Sequence, residues 1–83
     1  MKLSPHVTMT ETESGAVLLD GRAGRYWQIN QSAALALRHL LAGQSVEATV
    51  VKLRERFDDG RNEAADDVAH LVESLRRAKL VTS

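Results

Sequence analysis

The chain has 83 residues, no cysteine, and a formal net charge of zero, with eleven basic residues against eleven acidic ones. A chain this short makes one small domain, 1–83, with a limited core. The missing cysteines exclude disulfides, thiolate metal sites, iron–sulfur clusters and cysteine nucleophiles, and the balanced charge supplies no basic excess to neutralise phosphates.

No apolar run approaches the roughly 20 residues that cross a bilayer. The start, Met1-Lys2-Leu3-Ser4-Pro5, lacks the apolar core of a signal peptide. The expectation is a cytoplasmic protein without a membrane partner.

In chain order, His6-Val7-Thr8-Met9-Thr10 alternates polar and apolar residues, the period of a half-buried strand, with Pro5 at its start. Glu11 to Gly15 is polar and ends in glycine, so it reads as a turn. Ala16-Val17-Leu18-Leu19 is too short for a helix and reads as a second strand. Gly21-Arg22-Ala23-Gly24 is then the loop of a hairpin, and Arg25 to Ile29 its return strand. On that third strand Trp27 and Ile29 share one face, and Tyr26 and Gln28 the other.

Asn30 is suited to cap the following helix, because its side chain accepts from the unpaired N–H groups of a first turn. From Gln31 to Ala42, residues Ala33, Leu37, Leu40 and Leu41 fall on one helical face, and Gly43 stops the helix. Ser45 caps a second helix with Val46, Val50, Leu53 and Phe57 as its apolar stripe. Asp58-Asp59-Gly60-Arg61-Asn62 is a break. The third helix is expected from about Asn62 to Ala78 or Lys79, with Val68, Leu71, Val72 and Leu75 as its stripe. Its acidic start and basic end complement the helix dipole, and Leu80 and Val81 are expected to fold back onto the core. Three strands followed by three helices make an α+β domain. The architecture is winged helix-turn-helix-like, with a three-stranded antiparallel sheet followed by three helices.

Little in the sequence points to catalysis. Ser32, Ser45 and Ser74 stand in no nucleophile elbow, and no spacing assembles a serine–histidine–carboxylate set. His6, His39 and His70 are scattered without ligand spacing. Asp58-Asp59-Gly60-Arg61-Asn62 does not follow the oxygen spacing of a calcium loop, and Gly21 and Gly24 precede a strand, unlike a phosphate loop. No enzyme activity, cofactor or metal is expected.

A small DNA-binding regulator is the alternative that the winged-helix shape suggests, with the third helix in the groove. The start of that helix and the turn before it carry Asp58, Asp59, Glu63, Asp66 and Asp67 against Arg61 alone. Carboxylates facing phosphates oppose binding, so no nucleic-acid partner is expected.

The hairpin offers a different function. An exposed sheet edge presents unpaired N–H and C=O groups that recruit other chains. If the third strand is an edge, an extended peptide can join it, with main-chain bonds giving affinity and side-chain pockets giving specificity. Tyr26 and Trp27 suit such a contact, but the role expected of the Trp27 and Ile29 side chains is to fill the core against the first helix while the strand's backbone stays free to bind.

Gly24-Arg25-Tyr26-Trp27-Gln28-Ile29-Asn30, followed by the Ala33–Leu41 helix and Gly43, resembles the PqqD-like family. Its members are leader-peptide recognition domains for ribosomally made, modified peptides, and the likeness is to the small standalone members of lasso-peptide biosynthesis. It runs from about Val17 to Val81; Leu37 stands where many relatives have tryptophan. The resemblance implies a non-catalytic domain that binds the leader region of a precursor peptide as a strand added to the third strand, with the third helix as the other wall. It also implies delivery to a separate cysteine-protease-like leader peptidase, with a cyclase acting afterwards. Leaders of this class often carry a tyrosine and a proline three residues apart, which need an apolar pocket. Carried onto this chain, Arg25, Tyr26, Trp27 and Gln28 border the peptide. Asp67, His70, Leu71 and Ser74, which share a helix face by their spacing, are expected opposite, with Leu71 as a pocket floor and Asp67 beside a basic leader residue.

Overall fold

The computed structural model describes residues 1–57 and 63–82. The elements run β1 (Lys2–Leu3), β2 (Val7–Thr12), β3 (Gly15–Asp20), β4 (Arg25–Asn30), α1 (Gln31–Leu41), α2 (Val46–Arg56), α3 (Ala64–Arg77) and β5 (Val81–Thr82). β2, β3 and β4 are the three strands expected from the sequence, but Glu11, Thr12 and Gly15, expected in the turn, pair within β2 and β3 and leave only Glu13 and Ser14 between the strands. They form an antiparallel sheet in the order β2-β3-β4, which leaves β4 at one edge. The break expected at Asp58–Asn62 lies outside the described residues. α3 begins at Ala64 rather than near Asn62.

Local chemistry accounts for the joints. The Asp20 carboxylate accepts from the backbone N–H groups of Arg22 and Ala23, at 3.0 and 3.1 Å, which folds the loop between β3 and β4. Gly24 closes it in the left-handed region, at φ 67°. Asn30 caps α1, its side-chain oxygen accepting from Ala33 N at 2.9 Å. Ser45 caps α2 in the same way, through Ala48 N at 3.0 Å.

α1 ends in a Schellman turn. Gly43 N donates to Leu40 O and Gln44 N to His39 O, with Gly43 at φ 92°. α3 ends in the same turn, but there a lysine, Lys79, takes the left-handed position at φ 62°.

The helices cover one face of the sheet. Ala16 and Leu18 are buried beneath them, while Leu19, between Leu18 and Asp20, is 46% exposed. One core cluster joins the three helices through Leu35, Ala36, Leu40, Val50, Leu53, Val68 and Val72. A second joins sheet, α1, α3 and the C-terminal segment through Val7, Leu18, Leu37, Leu75, Leu80 and Val81, with Trp27 and Ile29 packed against it. Fully burying a leucine such as Leu18, Leu37 or Leu80 contributes about 1.5–3 kcal/mol.

Leu80 and Val81 return to the core as expected, but they do so within a two-stranded pairing of β1 with β5 that the sequence did not suggest. Ser4 fastens this return, donating from Oγ to Lys79 O at 2.8 Å and from N to Leu80 O at 2.9 Å. The stripe expected on α2 is shorter than its spacing implied. Val50 and Leu53 are buried, while Val46 and Phe57, at the helix ends, are 42% and 39% exposed. Thr49 takes the vacated core position, its hydroxyl satisfied by Ser45 O at 2.8 Å.

Candidate functional site

β4 follows a tight hairpin, and β3 is its sole strand neighbour among the described residues. The direction of its main-chain groups can be read from Gly15. A Cβ built on that residue of β3 would lie 2.0 Å from Ile29 O, so the Ile29 carbonyl points toward β3. Main-chain groups of successive strand residues point to opposite sides. Arg25 and Trp27 therefore face β3 as Ile29 does, and Tyr26 and Gln28 turn their N–H and C=O groups to the open side. The side chains alternate on the other axis: Trp27 and Ile29 are half-buried against the core, while Gln28 is exposed and Tyr26 is 66% exposed.

Beside this edge lies a groove of about 310 Å³ between the start of α1 and one face of α3. Asn30, the last residue of β4, lines it where the strand ends. Ala33, Ala36, Leu53, Val68 and Leu71 make its apolar floor and walls. Asn30, Ser32, Asp67, His70 and Ser74 supply its polar groups. Asp67, His70, Leu71 and Ser74, expected on one face of the third helix, thus line a single cavity. Leu71 is half-buried and touches both core clusters, so it is held firmly. Arg25, Tyr26, Trp27 and Gln28 do not line the groove; they run along the strand that leads to it.

The groove has the chemistry of a binding surface. Among the described residues no group of His, Asp and Glu side chains is placed to hold a metal. A second cavity of about 250 Å³ sits on the other flank of α1, but its Glu11 and Arg38 are paired with each other.

The family model described as coenzyme PQQ synthesis protein D (PqqD) matches residues 15–81, from the first residue of β3 into β5. The chain belongs to the PqqD family. Among solved structures, this PqqD-family chain is similar to a "Lasso peptide synthetase B1 complexed with the leader peptide", at 38% identity and a TM-score of 0.87, covering 99% of this chain and 96% of that one. It shares its fold with "TbiB1 in Complex with the TbiA(beta) Leader Peptide", at 21% identity and a TM-score of 0.81, covering 96% and 93% of the two chains. No curated protein matches it.

The sequence missed the α1 side of the groove. Asn30, Ser32, Ala33 and Ala36 line it, whereas the sequence pattern marks Asn30 only as a cap and Ala33 only as a residue of the apolar helix face. The available signal was composition: alanines at positions 33 and 36 leave room where larger side chains would fill the space between α1 and α3.

Proposed function

We propose that this chain is a single-domain, non-catalytic adaptor. It binds the leader segment of a ribosomally made precursor peptide of the lasso type and delivers it to a separate leader peptidase. The leader joins β4 as a fourth strand, bonded to the outward main-chain groups of Tyr26 and Gln28. Arg25, Tyr26, Trp27 and Gln28 border the added strand, and Asp67, His70, Leu71 and Ser74 form the facing wall.

The observation that carries this reading is that a relative 38% identical over 99% of this chain was solved with a leader peptide bound. The geometry supports it. An open strand edge supplies main-chain bonds, which are indifferent to sequence, and a pocket at the end of that strand supplies selection. The apolar floor suits an apolar or aromatic leader side chain. The rim, with Asn30, Ser32, Asp67, His70 and Ser74, suits the polar end of such a side chain or a basic neighbour.

The test is a titration of the purified chain with fluorescent synthetic leaders of lasso-type precursors, including that of any short precursor reading frame found beside its gene. The expected result is saturable binding with weak salt dependence, since main-chain and apolar contacts release few counterions. DNA duplex of any sequence should give no shift at low salt. Failure of the leader to bind, or a salt-sensitive duplex complex, overturns the proposal.

A further inference from the structure

The two ends of the Asn30 side-chain amide are assigned by its neighbours. Oδ1 accepts from Ala33 N at 2.9 Å and from Ser32 Oγ at 3.0 Å. A backbone N–H can only donate, so the amide cannot turn over and cap the helix with its NH2 group. Nδ2 is therefore the free end. Asn30 is exposed, and among the described residues its Nδ2 has no hydrogen-bond partner.

Asn30 also marks where the ladder of β4 stops. By the alternation that turns Ile29 O toward β3, the N–H of Asn30 faces the open side, as those of Tyr26 and Gln28 do. Its C=O, as in any N-cap residue, serves the first turn of α1. From Gln31 onward the chain is helix. The open edge thus ends in two donors, Asn30 N and Asn30 Nδ2, with no main-chain acceptor beyond Gln28. This end lies at the groove between α1 and α3.

From this we infer that Asn30 is a leader-binding residue: its Nδ2 donates to a main-chain carbonyl of the bound peptide where the peptide runs past the end of β4 into the groove. This rests on the strand-addition reading above. A peptide paired with Tyr26 and Gln28 leaves the ladder at Asn30, and its next carbonyl has no strand opposite. Left unmet over an apolar floor, that carbonyl would weaken binding. The Asn30 amide meets it. Asp67, across the groove, carries only acceptors when ionised and cannot take that role. Ser32 is a positioning residue, its hydroxyl holding the amide from the Oδ1 side.

Asn30 thus caps α1 with one atom and reads the peptide with another, and an isosteric change separates the two roles. Aspartate caps a helix as well as asparagine does, but it sets an oxygen where Nδ2 stands. The experiment uses the full chain and a synthetic lasso-type leader, with Asn30→Asp and Asn30→Ser as variants. Both keep the cap, so thermal melts should stay near wild type. Leader affinity, read by anisotropy, should fall about tenfold or more in Asn30→Asp, where a carboxylate faces a carbonyl, and by a smaller factor in Asn30→Ser. A role in capping alone predicts wild-type affinity for both. Leaders carrying alanine at each position in turn locate the acceptor. The loss caused by Asn30→Asp should be the same for every one of them, because alanine keeps the main-chain carbonyl. A loss that disappears with one alanine assigns the acceptor to that side chain and overturns the inference. So do folded Asn30→Asp and Asn30→Ser proteins that bind leader as the wild type does, while leaving leader binding itself intact. Should Asn30→Asp unfold the chain, Asn30→Ser carries the test. A wild-type chain that binds no leader overturns the proposed function beneath it.

Discussion

Replacing Gln28 by proline tests the strand-addition reading at one atom. The Gln28 N–H faces the open side of β4, by the alternation that turns Ile29 O toward Gly15. Proline removes that donor without removing a bond to β3, and its ring occupies the space an added strand would approach. The residue before it, Trp27, already sits in a strand, the conformation that proline imposes on its predecessor. One main-chain hydrogen bond contributes about 0.5–1.5 kcal/mol net. If the ring also displaces the neighbouring bond, the loss reaches about 1–3 kcal/mol, or roughly 5–150-fold in leader affinity. Gln28→Thr keeps the N–H and favours a strand, so it should bind within about threefold of wild type. Anisotropy with labelled leader gives the affinities, and thermal melts confirm that both variants fold. A folded Gln28→Pro protein that binds leader as well as Gln28→Thr would refute the reasoning, because affinity would then not pass through the β4 backbone.

Three further substitutions test the groove and the frame that holds it. Ser74→Trp places an indole into the groove from an exposed position on α3; it should leave the melting temperature near wild type and weaken leader binding at least tenfold, and undiminished binding would move the site elsewhere. Gly15→Ala would put a Cβ 2.0 Å from Ile29 O and 2.6 Å from the Asn30 carbonyl carbon. With backbone on both sides of the contact, it should destabilise the domain by more than about 2 kcal/mol in urea unfolding. Lys79→Gly relieves a lysine held at φ 62° in the closing turn of α3. The left-handed conformation costs a non-glycine residue about 1–2 kcal/mol, part of which glycine gives back through its greater freedom when unfolded. The net expectation is a gain of about 0.5–1 kcal/mol, a rise of a few degrees in a thermal melt, with leader affinity unchanged.

The features legible in the sequence are those whose chemistry is local. Asn30 and Ser45 announce themselves as caps because each answers N–H groups within three residues of itself. The Asp20–Gly24 loop is equally self-contained. The face of α3 was legible because one helix sets Asp67, His70, Leu71 and Ser74 in line wherever it packs. What lay beyond reading was set by packing between distant elements. The β1–β5 pair has two residues a side, too few for a period, and exists because Ser4 meets Lys79 and Leu80 across the length of the chain. Val46 and Phe57 have the right spacing for the α2 stripe but line open clefts, Val46 beside α3 and Phe57 beside α1, and Thr49 serves in the core because Ser45 O satisfies its hydroxyl. The α1 side of the groove was hidden for a related reason: small residues mark a gap only once it is known which helix stands across it.

The two edges of the sheet are treated differently, and the difference bears on function. An exposed edge invites pairing, and proteins blunt it with proline, charge or charged residues turned inward. β2 has all three. Pro5 precedes it, Glu13 follows it, and Glu11 stands in the row of Ala16 and Ile29, on the helix-covered side, where Arg38 of α1 pairs with it. A strand approaching β2 would meet that ion pair. In β4 the stretch from Tyr26 to Ile29 holds no proline and no charge; Arg25, its one charged residue, stands at the hairpin end in the row of Val7 and Asp20. Stability alone would favour blunting both edges alike. On the proposed reading, an edge left without proline or charge from Tyr26 to Ile29, beside a groove lined by α1 and α3, is suited to accept one added strand.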